Sequence, residues 1–288
     1  MPAEMFALAN AFLFALHNML TKKGLRYSNP GTAVITSLAI NLIFLWAVSI
    51  LFVPLASLAS AGILIFVLVG LFQPGLTRFL TYKGIETIGI AITDPIRATT
   101  PLFSAVTAVL FLGEQMTLPI GVATILIIAG ITLLSHRGGS MQQVRFLYIL
   151  YPLLASLLAG CSQVLRKVGL GAVPHPFLAA AVTSSSSFVV ALLTLWVSGK
   201  GKEFLRLDRR ALPFYLPAGV AVSLGMVSIY YALDLGKVTV VIPISSIGPF
   251  FSLIFSALFL RDMERVTLKI VLGASLIIGG VLLITLWK

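Results

Sequence analysis

The sequence predicts an all-α integral membrane protein in which ten transmembrane helices form two inverted five-helix repeats around a central cavity. Three observations support this fold class: the composition, the succession of long apolar runs, and an internal repeat. Of the 288 residues, 59% are hydrophobic and 10% are charged, whereas soluble domains carry about 25% charged residues. The mean hydropathy of +1.07 therefore predicts a chain that lies largely within lipid.

Ten apolar runs follow one another along almost the whole chain, separated by short polar joints. A transmembrane helix needs about 20 consecutive apolar residues, and these runs are close to that length. None of them alternates polar and apolar residues as the strands of a membrane β-barrel do. The predicted spans are 3–20, 31–53, 61–80, 88–111, 118–135, 147–165, 176–198, 211–233, 238–260 and 266–287.

The composition also argues against several classes of function. The net charge is +11, but the basic residues lie in the joints between spans, so we expect no nucleic-acid partner. The single cysteine, Cys161, excludes a disulfide within the chain, and we predict no metal site and no cofactor. The three histidines lie in unrelated segments, and no HExxH or GxSxG motif occurs, so we do not expect an enzyme.

The loop charges predict an orientation in the membrane. Ten spans place both termini on one side, and Lys and Arg in short loops favour the cytoplasm. The loops on the side of the termini hold four such residues, namely Arg166, Lys167, Lys237 and Lys288. Thirteen lie on the other side, in loops 21–30, 81–87, 136–146, 199–210 and 261–265. The charge count therefore places both termini outside.

The two halves of the chain repeat each other, with the boundary at the polar segment SHRGGSMQQVR, residues 135–145. The first repeat is assigned to residues 1–138 and the second to residues 146–288. At an offset of 148, and later 150, the halves pair Glu86 with Asp234, Pro95 with Pro243, Pro101 with Pro249, Phe103 with Phe251, and Glu114 with Glu264. Each half holds five spans, so the second half enters the membrane from the opposite side. Inverted repeats of this kind build many secondary transporters, with the binding site near the middle of the membrane.

The repeated motifs resemble those of the drug/metabolite transporter superfamily, specifically its ten-helix members made of two EamA-type repeats. The resemblance covers nearly the whole chain. It is carried by Pro101, FLGE (111–114) and Thr117, and by the pair LTKKGL (20–25) and LRKVGL (165–170). A weaker second copy of the first motif consists of Pro249, Phe259, Leu260, Glu264 and Thr267. Within the family the chain looks most like the amino-acid exporters, such as the aromatic amino-acid exporter group.

The resemblance implies a secondary transporter in the plasma (inner) membrane that exports small metabolites, amino acids first among them, by alternating access. Drugs, nucleosides, sugars and lipids are alternative substrates, and a membrane-embedded enzyme or a channel is the alternative from another class. The expected partners are a small-molecule substrate and the lipid bilayer. Glycine-rich stretches at 121–130 and 273–280 are interpreted either as packing faces or as a homodimer contact. The family's usual arrangement puts both termini in the cytoplasm, which conflicts with the charge count.

The stretch AITDPIRATTPLF (91–103) places two ionisable residues inside a predicted span. Asp94 and Arg97 are three residues apart and share a helix face, so one interpretation is a purely structural salt bridge. The other is a binding site, because intramembrane ionisable residues mark functional sites by default. Arg97 would then hold a substrate carboxylate in a bidentate fork, with Asp94 orienting it or meeting an ammonium group. The second repeat has Ile242 and Ser245 at these positions.

Prolines, unlike these charges, occur in both repeats. A proline removes a backbone hydrogen bond and can kink a helix. We predict paired bends that act as hinges for alternate opening, with static kinks as the alternative. The four residues are Pro95, Pro101, Pro243 and Pro249.

Further candidates for substrate binding are polar residues within the spans. They are His17, Gln73, Arg78, Tyr82, Tyr230, Ser245 and Ser246. His17 would line the cavity and sense protons, while Arg78 and Tyr82 share a helix face. Each candidate also has a structural interpretation: interface anchoring for the tyrosines and Arg78, helix packing for the serines, and a backbone hydrogen bond for the histidine.

Overall fold

The computed structural model describes residues 2–135, 146–197, 208–259 and 268–287. These residues form helices and connecting turns, and no strand occurs among them. Eight helices in the described part are long and apolar enough to cross a membrane, and two shorter apolar helices, Leu118–Leu134 and Val271–Leu286, complete a set of ten. The predicted all-α membrane fold is therefore confirmed.

The first half of the chain is a succession of helices with short connections. They are α1 (Ala3–Gly24), α2 (Pro30–Phe52), α3 (Ile63–Gly70), α4 (Thr77–Ile88), α5 (Ile90–Arg97), α6 (Thr100–Leu112) and α7 (Leu118–Ser135). A 3-10 helix, Leu55–Ala59, lies between α2 and α3, and a π-helical segment, Leu71–Leu76, joins α3 to α4. Local chemistry sets the helix ends. Asn29 Oδ1 accepts the Thr32 N–H at 2.8 Å at the start of α2, and left-handed Gly113, with φ 64°, ends α6.

The second half repeats this order. Its helices are α8 (Phe146–Ala172), α9 (Pro176–Val197), α10 (Leu212–Leu235), α11 (Val238–Ser245), α12 (Gly248–Phe259) and α13 (Leu268–Leu286). Thus α8 corresponds to α1, α9 to α2, and α10 to the combined α3 and α4. The α11–α12 pair corresponds to the α5–α6 pair, and α13 corresponds to α7.

Two helices extend beyond their predicted spans. Residues 81–87, predicted as a loop, belong to α4, and α8 continues past residue 165 to Ala172. The prediction that Arg166 and Lys167 are loop charges is wrong, because tertiary partners satisfy both inside α8. Lys167 Nζ donates to the carbonyl oxygens of Leu233 at 2.8 Å and Gly236 at 2.6 Å, at the end of α10.

Predicted spans 88–111 and 238–260 are each broken into two helices at corresponding positions. The first break lies between Arg97 and Thr100, and the second lies between Ser245 and Gly248. In each repeat one proline lies inside the helix before the break and one lies in the first turn after it; these are Pro95 and Pro101, then Pro243 and Pro249. The bends are thus present in both repeats, and their action as hinges stays a prediction.

A further break separates α3 from α4. Gln73 has an extended backbone there, with φ −132° and ψ 119°, and Pro74 follows it. The corresponding residues of the second half, Ala221 and Val222, lie within the continuous helix α10. Irregular backbone at this depth is tolerated where it lines a cavity or is buried in protein.

The last helices of the two repeats, α7 and α13, pack closely through glycines. A Cβ atom at Gly130 would come within 2.6 Å of the Gly273 carbonyl oxygen, and one at Gly280 within 2.7 Å of Ile127 Cγ1. Small residues at such positions allow membrane helices to approach each other closely. The two glycine-rich stretches therefore form an interface within the chain, and a homodimer contact there stays a prediction.

Candidate functional site

A cavity of about 460 Å³ lies between the two repeats. It is lined by α1, α2, α4 and the Gln73 break from the first repeat, and by α8, α9, α10 and the α11–α12 break from the second. Amide, hydroxyl and cationic side chains line it together with apolar ones such as Phe14 and Met226. Its volume falls within the range of about 300 to 1,000 Å³ that small-molecule sites occupy.

The cavity extends toward one side of the bundle. On α2 it is lined from Ala33 to Asn41, close to the α1–α2 connection and away from the termini. Both α2 and α9 begin with a proline, so Ser37 on α2 corresponds to Thr183 on α9. Ser37 lines the cavity with 6% of its surface exposed, whereas Thr183 is fully buried and does not line it. The side of the bundle that holds the termini is thus the closed side.

A buried cluster around Tyr230 closes that side. The Tyr230 hydroxyl lies 2.5 Å from Thr183 Oγ1, and the ring meets Phe66 edge-on with centroids 5.8 Å apart. Tyr230 does not line the cavity and is fully buried beneath it. Its counterpart in the first repeat, Tyr82, lies outside the cavity with 57% of its surface exposed. The two matched tyrosines therefore occupy opposite environments.

The floor of the cavity carries Arg166, a residue that sequence reasoning missed. Its side chain is 7% exposed, and its guanidinium carbon lies 5.4 Å from the centre of the Tyr230 ring. Nη1 donates to Gln163 Oε1 at 2.9 Å, and Gln163 Nε2 donates to Gln73 Oε1 at 3.2 Å. The signal that could have revealed Arg166 is the match of LRKVGL with LTKKGL, which pairs it with Thr21, another lining residue.

Several sequence-predicted residues come together in the cavity walls. They are His17, Gln73, Arg78, Ser245, Ser246 and the hinge candidate Pro249. His17 Nδ1 lies 3.0 Å from the Ala218 carbonyl oxygen, so this ring nitrogen is positioned by α10. Asn41 Oδ1 accepts a hydrogen bond from Ser184 Oγ at 2.5 Å across the repeat boundary.

Asp94 and Arg97 do not line this cavity. Both are partly exposed on α5, and the Arg97 Nη1 atom is buried without a hydrogen-bond partner in the described part of the chain. Ser245, which occupies the Arg97 position of the second repeat, does line the cavity. Of the remaining hinge candidates, Pro95, Pro101 and Pro243 lie outside the lining.

Glu114 of the FLGE motif connects the two repeats on the closed side. Its carboxylate accepts the N–H groups of Val238 at 2.8 Å and Thr239 at 2.9 Å, and the Thr239 hydroxyl at 2.9 Å. These donors lie at the start of α11, where unpaired N–H groups and the helix dipole favour an anion. The matching Glu264 and Thr267 of the second repeat lie outside the described residues.

Metal ligands are not clustered in the described part of the chain. No group of three or more His, Cys, Asp and Glu residues there could hold a metal ion. The polar groups that line the cavity are amide, hydroxyl, imidazole and guanidinium side chains.

Comparisons with known proteins identify the family. The model of the EamA-like transporter family matches residues 1–136 and 146–286. An uncharacterized protein of Methanocaldococcus jannaschii is 36% identical over 100 residues, which is 35% of this chain and 72% of that protein. A solved structure described as "Crystal structure of protein" has a TM-score of 0.81 at 13% identity, over 99% of this chain and 96% of that one.

The structural likeness concerns the fold alone at this level of identity, and the comparisons give no support to the aromatic amino-acid exporter subgroup. The family model, by contrast, spans nearly all of both halves. Members of this family are multi-pass membrane transporters and not enzymes. The chain belongs to the EamA-like transporter family.

Proposed function

We propose that this protein is a secondary transporter of the plasma membrane that exports small metabolites by alternating access, with amino acids as the first substrate class to test. One observation carries the proposal. The polar cavity between the two repeats is open toward the side opposite the termini, and the buried cluster around Tyr230 closes it on the side of the termini. Inverted repeats can exchange conformations. The exchange would close the present opening and create a corresponding opening on the side of the termini. Drugs, nucleosides and sugars are the alternative substrates.

The matched residues of the two repeats support this mechanism. Ser37 is 6% exposed and lines the cavity, while its counterpart Thr183 is fully buried outside the lining, and Tyr82 is exposed while Tyr230 is buried. An exchange of conformations would reverse both differences. The same argument gives Arg97 a place in the proposal, because it would take the cavity-lining environment that Ser245 has here.

Cysteine accessibility tests alternating access without knowledge of the substrate. The natural thiol is removed by Cys161→Ser, and single cysteines then replace Ser37 or Thr183, both close in size to cysteine. In oriented vesicles, we expect a membrane-impermeant thiol reagent to label the Ser37→Cys variant from the side opposite the termini. It should label the Thr183→Cys variant from the side of the termini. Labelling of both variants from the same side would contradict alternating access.

Transport itself is tested with proteoliposomes and a panel of radiolabelled amino acids, with and without a pH gradient. Saturable uptake above protein-free liposomes would support amino-acid transport, and a response to the gradient would indicate proton coupling. Saturable uptake of nucleosides, sugars or drugs in place of amino acids would support transport but reject the proposed substrate class.

A further inference from the structure

The described residues that line the cavity include three basic side chains and no acid. Arg78 and Arg166 carry guanidinium groups, and His17 carries an imidazole. Charged groups inside a membrane protein are costly unless they are paired or hydrated. The cavity therefore presents positive charge that the lining residues themselves do not neutralise.

Acidic side chains in the described part of the chain have other partners. Glu114 binds the start of α11, Glu86 pairs with Lys83 at 2.8 Å on an exposed surface, and Asp94 interacts electrostatically with Arg97 on α5. None of the six acidic residues in the described part of the chain lines the cavity. A negative charge that meets Arg166 or Arg78 would thus come from the substrate.

Arg166 is held in a fixed position for such a charge. Its Nη1 group is bound to Gln163, and its planar group lies over Tyr230. The Nε atom, in contrast, is buried and has no hydrogen-bond partner in the described part of the chain. A guanidinium offers five donors in a rigid fork that matches a carboxylate. Packing and hydrogen bonds therefore orient this group before any substrate arrives.

Gln163 and Gln73 connect Arg166 to the first repeat by hydrogen bonds. Gln73 accepts the Gln163 amide N–H at 3.2 Å and is itself held at the break between α3 and α4. Arg166 of the second repeat is thereby linked to the first repeat through two neutral amides. An anion bound to Arg166 would therefore lie next to the hydrogen bond that joins Gln163 of the second repeat to Gln73 of the first.

We propose that the cavity selects organic anions, with a substrate carboxylate held by Arg166 and further negative charge stabilised by Arg78. This inference rests on the proposed transport function and narrows its substrate class. Acidic amino acids and small dicarboxylates bind better than neutral amino acids, and basic amino acids bind worst.

A series of four five-carbon compounds separates charge from size. Glutarate carries two negative charges, glutamate one net negative charge, glutamine none, and ornithine one net positive charge. Binding of each radiolabelled compound is measured with the purified full-length protein in detergent, and uptake is measured in proteoliposomes. We expect affinity to fall from glutarate and glutamate to glutamine and then ornithine.

Variants test the assignment to Arg166. Arg166→Gln should weaken the binding of glutarate and glutamate about tenfold to hundredfold, because it removes a charge-assisted hydrogen-bonded pair. Arg166→Lys, which keeps the charge, should retain the order of affinities with weaker binding. Arg26→Gln removes an exposed arginine outside the lining and should change nothing. If Arg166→Gln is not monodisperse, Arg166→Lys and Arg78→Gln still give the test.

The outcomes separate this inference from the transport proposal. Anion-selective binding without uptake would support the inference and count against transport. Uptake that favours glutamine or ornithine would overturn the inference and leave transport standing. Binding of none of the four compounds, or equal binding by wild type and Arg166→Gln, would overturn the inference.

Discussion

Glu114 is expected to stabilise the closed side of the protein, and its replacement should shift the conformational equilibrium. Its carboxylate accepts three hydrogen bonds of 2.8, 2.9 and 2.9 Å from Val238 and Thr239 at the start of α11. These bonds join the end of α6 in the first repeat to α11 in the second. If the closed side opens by separation of these elements, the bonds break.

The size of the effect follows from the number and kind of these bonds. Loss of a helix N-cap typically costs about 1 kcal/mol and up to about 2. Glu114 adds a full negative charge beside the helix dipole, although its side chain is only partly buried. We therefore expect Glu114→Ala to destabilise the closed side by about 2 kcal/mol, which is roughly a thirtyfold change in population.

Labelling kinetics provide the assay. In the Cys161→Ser, Thr183→Cys background, Glu114→Ala should speed labelling from the side of the termini by roughly thirtyfold. Glu114→Gln, which keeps one acceptor oxygen, should give a smaller increase. Glu86→Gln replaces the exposed acid that pairs with Lys83 and serves as the matched control.

Equal labelling rates in the parent and Glu114→Ala would refute this reasoning. A lower melting temperature without faster labelling would show that Glu114 stabilises α11 equally in both openings. In that case the FLGE motif would have a folding role alone.

Two further predictions concern packing and orientation. Gly280→Ala should lower the melting temperature, at a cost of about 1 to 3 kcal/mol, because its Cβ would lie 2.7 Å from Ile127 Cγ1 and 2.8 Å from the Ala123 carbonyl oxygen. Gly279→Ala, where a Cβ meets no atom within 4 Å, should leave melting unchanged, and equal losses would contradict the packing argument. Reporter enzymes fused to each end should report the same side, and the charge rule predicts the outside. Cytoplasmic reporters would show that the family arrangement overrides the loop charges.

The spans and the repeat could be predicted because apolar length and duplicated motifs are local properties of a sequence. Arg166 could not be placed in this way. An arginine near the middle of a membrane helix costs about 2.5 to 3.5 kcal/mol on insertion scales, so hydropathy ends the span before it. In the structure, Gln163 and Tyr230 contact this residue, and α8 continues to Ala172. Of these two partners, Tyr230 is far away in the sequence.

The sequence also could not predict which of Arg97 and Ser245 lines the cavity. The repeat alignment gives both residues the same position in their half, so it predicts the same role for both. The structure places Ser245 in the lining and leaves Arg97 outside it. The two halves have different conformations in this state, and nothing in the alignment says which half faces the cavity. The break at Gln73 was missed for a related reason, because only one repeat contains it.

The paired tyrosines have a thermodynamic consequence for the whole protein. In the proposed exchange, one ring is buried while the other is exposed, so the two burial free energies have the same size and opposite sign. The two terms nearly cancel, so the openings would be close to isoenergetic. Their balance would then depend on positions where the repeats differ, such as Thr183 against Ser37 and Arg166 against Thr21. Divergence between the duplicated halves would therefore determine the resting state.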